Sequence, residues 1–584
     1  MDVHCITQLI GEFQLTSDKQ NADVGDYLLG DEFPKSWNID KLSLPPKSIP
    51  LLKYKLIDEE EEESVSLSTS HIYANGPLSR SHTLPAQFKS LKCLTKGNSK
   101  TVYEATLRVT TEGGFNFSPG DSISIFPEND PYTVSWLLNR LDLDSLKNAD
   151  TPFIVEAVDT KARNLPSWLI SGHSTSLRFL LTYCCELYIP ISRRILRILA
   201  EYCVDDETNS VSFDRQRNRL LEFASQEGKN MFEMYIVKPQ LNLMDILYMF
   251  PACRPPFIRL LEILPRLQPR SYTLINLYDD QALSDDQQDL TFIFTRVDFE
   301  HNSNNNNDSA VSRLRYPHRH HGTCSGWLER KWLSVNRPIG GDHDHLHMED
   351  TSTRTDIPII HIYLRQNLTQ FYLPEEDAQQ PVIMIGAGSG IAPFISFIRQ
   401  RKRDCCKTGS STNNLWWLIY GCRSPTTSLL FKEELSDAVN TKLLKHLCLC
   451  FSRDTINSAD DKYTLADLPS VLCEQACFPL KSHYVQQCIH HTDSASNTNP
   501  SDHDIELMHL VYDRNAKIMV CGDARGLATG VFQAWIKLLA MKLHWVQTSN
   551  WCTYTELTSE ELKNAQMYLQ EMRKSKRYQE DVWL

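Results

Sequence analysis

From residue 86 onward the chain alternates apolar and polar residues in short runs: "FKSLKCLT", "TVYEATLRVTT" and, after the turn "SPGD", "DSISIFP". Alternation with period two puts every second side chain on one face, so these runs predict antiparallel strands of a small barrel or sandwich. Between about 130 and 265 the period lengthens. "VSWLLNRL", "SLRFLLTYCCEL", "SRRILRILAEYC" and "LMDILYMF" repeat apolar residues at i, i+3 and i+4 and predict helices. Alternation returns in "RSYTLIN", "LTFIFTRVDFE" and "IPIIHIYLRQ". A helical insertion of over a hundred residues thus interrupts one β-domain.

After residue 378 a third pattern begins. "PVIMIG", "LWWLIYG", "LKHLCLCFSRD" and "KIMVCGD" are wholly apolar runs, each followed by polar turns and a helical stretch. Strands apolar on both faces and alternating with helices predict a doubly wound parallel sheet. The expected architecture is an antiparallel β-barrel over 85–130 and 265–376, an all-helical connecting insertion over 131–264, and an α/β doubly wound domain over 377–584. Residues 1–84 carry "LSLPPKSIP", an acidic run from Asp58 to Glu63 and a Ser/Thr-rich stretch, and read as a largely disordered linker.

Composition narrows the function. At 584 residues the chain has room for about three domains, and 41% hydrophobic with 23% charged residues is ordinary for a globular protein. A net charge of −13 argues against nucleic acid as partner, because phosphate binding needs a basic face. It suits docking on a basic protein surface, but is equally common without such a role. The 17 cysteines are odd in number and scattered, and the adjacent pairs at 184–185 and 405–406 make poor disulfides, as expected for reduced thiols in a cytoplasmic protein. No apolar run approaches the length of a membrane span, and "MDVHCITQLIGEF" lacks the pattern of a signal peptide. Histidines concentrate in "HRHH" at 318–321 and "GGDHDHLHMED" at 340–350, and an Asn-rich insert lies at 301–309. Their spacing is irregular, so no metal site is expected.

Four segments carry candidate chemistry. In "IGAGSGIAPF", glycines 386, 388 and 390 end an apolar strand and open a helix, where backbone amides can meet a phosphate. "FSRD" ends another strand; Ser452 and Arg453 sit where the ribose of a dinucleotide would lie, and an arginine there favours a 2′-phosphate. "VCGDARG" places Cys521 at a strand end and Asp523 where it can cap the next helix. Arg270, Tyr272 and Thr273 of "PRSYTLIN" stand on a strand that alternation alone would leave solvated.

"RSYT", "GTCSGWL", "GAGSGIAPF", "YGCR", "FSRD", "HYVQQ", "VCGDA" and "KRYQEDVW" follow one another in the order of the diflavin reductases, and the chain resembles the FAD- and NADPH-binding half of that family over about 85–584. Within the family it is most similar to the methionine synthase reductases, through "LLTYCCELYIPISRRILRIL", "PACRPPFIRLLEILPRLQPRSY" and "GTCSGWL". The resemblance implies an FAD-binding barrel and an NADPH-binding parallel-sheet domain of ferredoxin-NADP reductase type. It also implies that Arg270 meets the FAD pyrophosphate, Ser271 stands beside it on the FAD strand, Tyr272 stacks on the flavin and Thr273 lies near flavin N5 in place of the family's serine. Gly322, Thr323, Cys324 and Ser325 would serve the pyrophosphate, and Trp583 would cover the other flavin face until nicotinamide displaces it. Cys521 and Asp581 would flank the hydride path, and Lys100, Gly388, Ser389, Ser452, Arg453, His483, Tyr484, Gln486 and Asp523 would hold NADPH.

The sequence departs from the family at two places. Ser482 stands at the usual 2′-phosphate lysine, with Lys481 and His483 beside it. Residues 1–80 contain no phosphate loop of a flavodoxin-like FMN domain, so FMN is expected only if such a domain is supplied separately or is missing from a truncated gene model. The implied function is NADPH-driven, FAD-dependent electron transfer, with methionine synthase and a flavodoxin-like FMN domain as partners. The alternatives are a ferredoxin-NADP-reductase-like role as an NADPH-flavodoxin or NADPH-haemoprotein reductase using a separate FMN protein, and a non-catalytic remnant. The intact set Arg270, Tyr272, Cys521, Asp581 and Trp583 argues against the remnant.

Overall fold

The computed structural model describes residues 38–583 apart from 58–65, 75–78, 98–99, 111–114, 142–147, 160, 162–163, 171, 205–212, 279–286, 299–315, 317–321, 336–357, 374–379, 409–414, 454–468, 475–483 and 491–499. The His-rich inserts lie outside these described residues. The chain forms two compact units: Met1–Asn75 with Phe126–Pro269 and Asp298–Trp327, and Gly76–Ile125 with Arg270–Val297 and Leu328–Leu584.

The first unit is mainly helical, as the 3.6-residue period predicts. Asp130 opens the helix Pro131–Arg140 by accepting a hydrogen bond from Tyr132 N at 2.8 Å, and proline at the first turn loses no needed donor. At the other end Arg140 spreads its guanidinium over the carbonyls of Leu247, Phe250, Pro251 and Cys253, satisfying the C-terminal turn of the helix Leu243–Met249. Two expectations are corrected here. The insertion is not all-helical, because β5 (Phe153–Ala157) and β6 (Ser174–Thr175) join β1 (Leu52–Leu56) in a small antiparallel sheet. The linker expected over 1–84 is structured where it supplies β1, whose Leu52 is buried. A five-residue run flanked by charge was too short to stand out from linker composition.

The second unit combines a barrel with a parallel sheet. β2 (Leu84–Cys93), β3 (Val102–Thr110), β4 (Ser122–Ile125), β7 (Arg270–Thr273), β8 (Gln287–Thr295) and β9 (Ile359–Leu364) form one antiparallel sheet in the order β7-β4-β9-β2-β3-β8. Its two edges meet: Leu274 bridges Phe292, and Ile275 N donates to Thr291 O at 2.8 Å. The Asn276 amide repeats the pairing, accepting from Thr291 N and donating to Asp289 O at 2.8 Å each. These bonds close the barrel and leave those edges paired. At the start of β4, Asp121 is fully buried and accepts from Arg80 at 2.9 Å, Tyr372 at 2.6 Å and Ser118 N at 2.9 Å. With its carboxylate satisfied this way, the short strand that pairs with β7 is fixed.

β10 (Val382–Ala387), β11 (Trp416–Cys422), β12 (His446–Phe451), β13 (Lys517–Asp523) and β14 (Tyr578–Trp583) form an all-parallel sheet in the order β12-β11-β10-β13-β14. Successive residues feed two cores. Met384, Leu418 and Leu449 pack with Phe394 and Ile398 of the helix Ala392–Thr408, while Ile383, Ile419 and Val520 pack with Trp535 and Leu538 of the helix Thr529–Thr548. Coverage of both faces explains why these strands are apolar throughout. Val102, Ile275, Ile293 and Phe371 of the barrel half join the first of these cores, so barrel and sheet share buried surface.

Candidate active site

Strand order places the candidate residues. β10 is central, with β11 and β12 on one side and β13 and β14 on the other, so the chain reverses direction across the sheet between β10 and β13. Ligands of such sheets bind beyond the carboxyl ends of the strands at that reversal. Gly388 and Ser389 follow β10, Cys521 and Asp523 close β13, Ser452 and Arg453 follow β12, and Asp581 and Trp583 end β14. All therefore lie at one end of the sheet.

The turn after β10 needs its glycines for different reasons. Gly388 has a left-handed φ of +56°, and a Cβ there would meet nothing within 4 Å. Gly390 is packed tightly instead: a Cβ would lie 2.2 Å from the carbonyl oxygen of Cys521. Gly390 thus serves strand packing, and the space for an anion is at Gly388. Ser389 Oγ accepts from Thr295 Oγ1 at 3.2 Å, and the Gly388 carbonyl accepts from Tyr420 at 3.2 Å. Asp523 Oδ2 accepts from Gly526 N and caps the following turn, as its position before "ARG" predicts.

On the β11–β12 side the groups are cationic. Ser452 N and Arg453 N extend the strand pairing to the carbonyls of Cys422 and Arg423 at 2.9 and 3.1 Å. Lys100 lies within electrostatic reach of Arg423, Arg453 and Asp523. Burial and the two guanidinium charges lower its pKa, and Asp523 opposes that shift. Three cations held against their mutual repulsion suit an anionic ligand. Tyr484 is 54% exposed at the start of the helix Val485–Ile489, and Gln486 lies where a Cβ on Gly530 would touch its amide at 3.3 Å. His483 lies outside the described residues.

On the β13–β14 side exposure rises toward the strand ends: Cys521 is buried, Asp581 half-buried, and Asp523 and Trp583 exposed. Cys521 is 1% exposed and pairs in register with Asp581, as Asp523 does with Trp583. Burial, then the charge of Asp581, pushes the Cys521 thiol well up, so it stays protonated at neutral pH. Burial also raises the Asp581 carboxyl, opposed by the Arg365 charge and by a hydrogen bond from Thr273. A thiol, a carboxyl and a hydroxyl from three distant segments therefore meet in one place. Trp583, two residues beyond Asp581 on the same strand face, is 45% exposed.

β7 delivers Thr273. It pairs with β4, and the Ser271 and Thr273 hydroxyls lie 2.8 and 3.3 Å from those of Ser124 and Ser122. Arg270 and Tyr272 alternate onto the other face, where the Tyr272 ring stacks on Phe292 at 5.1 Å and meets Phe294 edge-on. Two buried phenylalanines thus set the plane of a half-exposed tyrosine. In the other unit, Gly322 has a φ of +63° and opens the turn Gly322–Gly326 that runs into the helix Trp327–Val335. Within that turn Thr323 donates to Glu186 at 3.3 Å, and Cys324 and Ser325 are buried.

Residues 76–306 match the family described as FAD binding domain, and residues 384–468 match the oxidoreductase NAD-binding domain. The chain is 28% identical over 544 residues to the methionine synthase reductase of Homo sapiens, covering 92% of this chain and 65% of the relative. It is 27% identical to that of Rattus norvegicus, over 94% of this chain and 67% of the relative. Against the NADPH–cytochrome P450 reductase of Oryctolagus cuniculus the identity is 26%, over 84% of this chain and 57% of the relative. The chain is a homologue of the diflavin reductases.

The chain spans about two thirds of the length of the methionine synthase reductases from Homo sapiens and Rattus norvegicus. The diflavin-reductase homologue carries FAD- and NAD-binding domains, and its site chemistry fits both nucleotides. The open left-handed Gly388 and the Lys100–Arg423–Arg453 group suit phosphates, and the oriented Tyr272 ring suits a planar ring system. Sequence reasoning missed Arg423 and Arg365 as members of the site. Arg423 was within reach, since it follows the apolar run of β11 as Arg453 follows that of β12. Arg365 had no local signal, because only the fold brings it to Asp581. No helix among the described residues is long and apolar enough to cross a membrane.

Proposed function

We propose that this chain is an NADPH-oxidising, FAD-dependent reductase module that passes electrons singly to a partner. The convergence of Thr273, Cys521 and Asp581 beside the sheet's reversal point carries this reading. Bound FAD supplies the chemistry, accepting a hydride from NADPH and releasing single electrons. Arg270 would hold the FAD pyrophosphate, Tyr272 would back one flavin face, and Trp583 would cover the other. Lys100, Arg423, Ser452, Arg453 and Tyr484 bind the 2′-phosphate end of NADPH, and Gln486 lies beside them. Gly388, Ser389 and Asp523 line its path across the sheet. Thr273, protonated Cys521 and Asp581 orient the nicotinamide, and the burial of Cys521 keeps water from that point.

Within the family, the role we propose is that of a methionine synthase reductase: reductive reactivation of cobalamin-bound methionine synthase, with FMN supplied by a flavodoxin-like domain or protein. What supports it is similarity to methionine synthase reductases over more than nine tenths of this chain. The purified chain is expected to bind one FAD and to reduce ferricyanide with NADPH. Addition of a flavodoxin-like FMN protein is expected to extend that activity to methionine synthase. A chain that takes up no FAD would overturn the module. A chain that reduces ferricyanide, but supports another haem or flavin protein better than methionine synthase, would overturn only the narrower role.

A further inference from the structure

β12 carries chemistry that the nucleotide site does not use. His446 and Cys448 project from the same face of this edge strand, and the helix Asp502–Met508 brings His503 to them. One donor atom from each residue lies within 4.8 Å of the others, with Cys448 buried and both histidines half-buried. The sequence expectation of no metal rested on the irregular His-rich inserts and did not weigh this group, whose members stand 55 positions apart from Cys448 to His503. Folding alone assembles the group.

We propose that His446, Cys448 and His503 form a binding site for a borderline-soft divalent cation, zinc foremost. Two imidazoles and a thiolate select zinc over magnesium or calcium, which take oxygen ligands. A tetrahedral zinc holds such donors at about 2.0–2.3 Å, so they sit roughly 3.5 Å from one another. The donors now lie within 4.8 Å of one another, so binding must draw them together by roughly 1 Å, with the Cys488 bond keeping the orientation of His503. The surroundings already prepare one ligand: His503 Nε2 lies 2.9 Å from the Cys488 carbonyl, which can only accept. That bond places the proton on Nε2 and leaves the Nδ1 lone pair for a metal, the arrangement that carbonyl partners give to metal-binding histidines. The His446 ring lies 4.2 Å from that of Trp417, centroid to centroid, which limits its motion. Water fills the fourth position, and binding releases the Cys448 proton.

The site is not part of the hydride path. Cys448 stands five residues before Arg453, roughly 17 Å along a strand, and on the sheet face opposite Leu449. Its effect is to tie edge strand β12 to a helix later in the chain. Ser452, Arg453, Tyr484 and Gln486 all lie between the two tied points, so the metal anchors both ends of that segment.

The test is zinc binding to the full chain with its flavin, measured by competition with a chromophoric chelator and by zinc-edge X-ray absorption. Wild type is expected to bind one zinc in this site, with one sulfur and two imidazole neighbours, and to gain thermal stability on binding. Cys448→Ser and, separately, His503→Gln are expected to weaken zinc by about ten-fold or more. His503→Gln alters a half-buried helix residue and guards against misfolding of the buried serine variant. Wild type that binds no zinc at micromolar Zn2+, or affinities unchanged in both variants, would overturn the site.

Discussion

At the β13–β14 side the Cys521 thiol is buried and neutral with Asp581 half-buried beside it, whereas the candidate groups at the ends of β11 and β12 are cationic and more open. Cys521 sits at 1% exposure with its thiol held neutral, while Tyr484 is 54% exposed beside a segment that carries Arg453. The buried end can position a reacting ring because nothing there rearranges when water leaves. The open end recognises charge: Lys100, partly desolvated beside the Arg423 and Arg453 guanidiniums, is held at a lowered pKa, a repulsion that a bound phosphate would relieve. One parallel sheet thus separates the chemistry from the affinity along its own strand ends.

The comparison breaks most strongly at the cationic end. Replacing both Arg423 and Arg453 by alanine is expected to raise KM for NADPH by about 10²-fold or more, since each charge-assisted bond is worth about 1.5–3 kcal/mol. NADH, which lacks the 2′-phosphate, should barely respond, and steady-state kinetics with both nucleotides checks this. At the buried end the split should run the other way. Asp581→Asn is expected to slow flavin reduction by about 10²-fold with little change in the Kd for NADP, because misplacement of the ring costs rate rather than binding. Stopped-flow reduction and nucleotide titration separate the two.

Trp583 stands between these regimes. If it stacks where nicotinamide must lie, Trp583→Ser removes a competitor of roughly 1.4 kcal/mol, and the NADPH over NADH preference in kcat/KM should shrink by about ten-fold. An unchanged ratio would reduce Trp583 to a strand-end residue. The smallest effect tests burial of a cation whose charge a neutral acceptor, the Tyr372 carbonyl at 2.6 Å, leaves uncompensated. Lys517, at the opposite end of β13, has its pKa lowered from 10.5 to about 8 by burial. From pH 8 up to about 10.5 the unfolded chain binds more protons than the folded one, so stability rises with pH across that window and the burial cost is complete below it. Lys517→Met should therefore raise Tm at pH 7 by a few degrees, with the gain fading by pH 10.5, as calorimetry across that range can follow.

Much of this was legible in the sequence where periodicity is strong. The four apolar runs became β10 to β13, and the alternating runs became β2, β3, β4, β7, β8 and β9, with ends shifted by a few residues. β1 escaped notice because its partner, β5, is about a hundred residues away and neither strand alternates for long. The motif residues of the site were legible through their order along the chain. Their roles divide differently: Gly390 serves packing against Cys521, and Arg365 acts only through a long-range contact. Charges that meet through the fold leave no pattern in a linear chain.

The most direct test of the central claim is anaerobic mixing of the FAD-loaded chain with NADPH, with flavin absorbance as readout and with nicotinamide deuterated at C4 on either face. Rapid bleaching by NADPH, slower bleaching by NADH and a primary isotope effect from one face only are expected, with the rate falling in Asp581→Asn. Bleaching that is equal for both nucleotides, insensitive to deuterium and unchanged in Asp581→Asn would contradict a positioned hydride transfer at Thr273, Cys521 and Asp581.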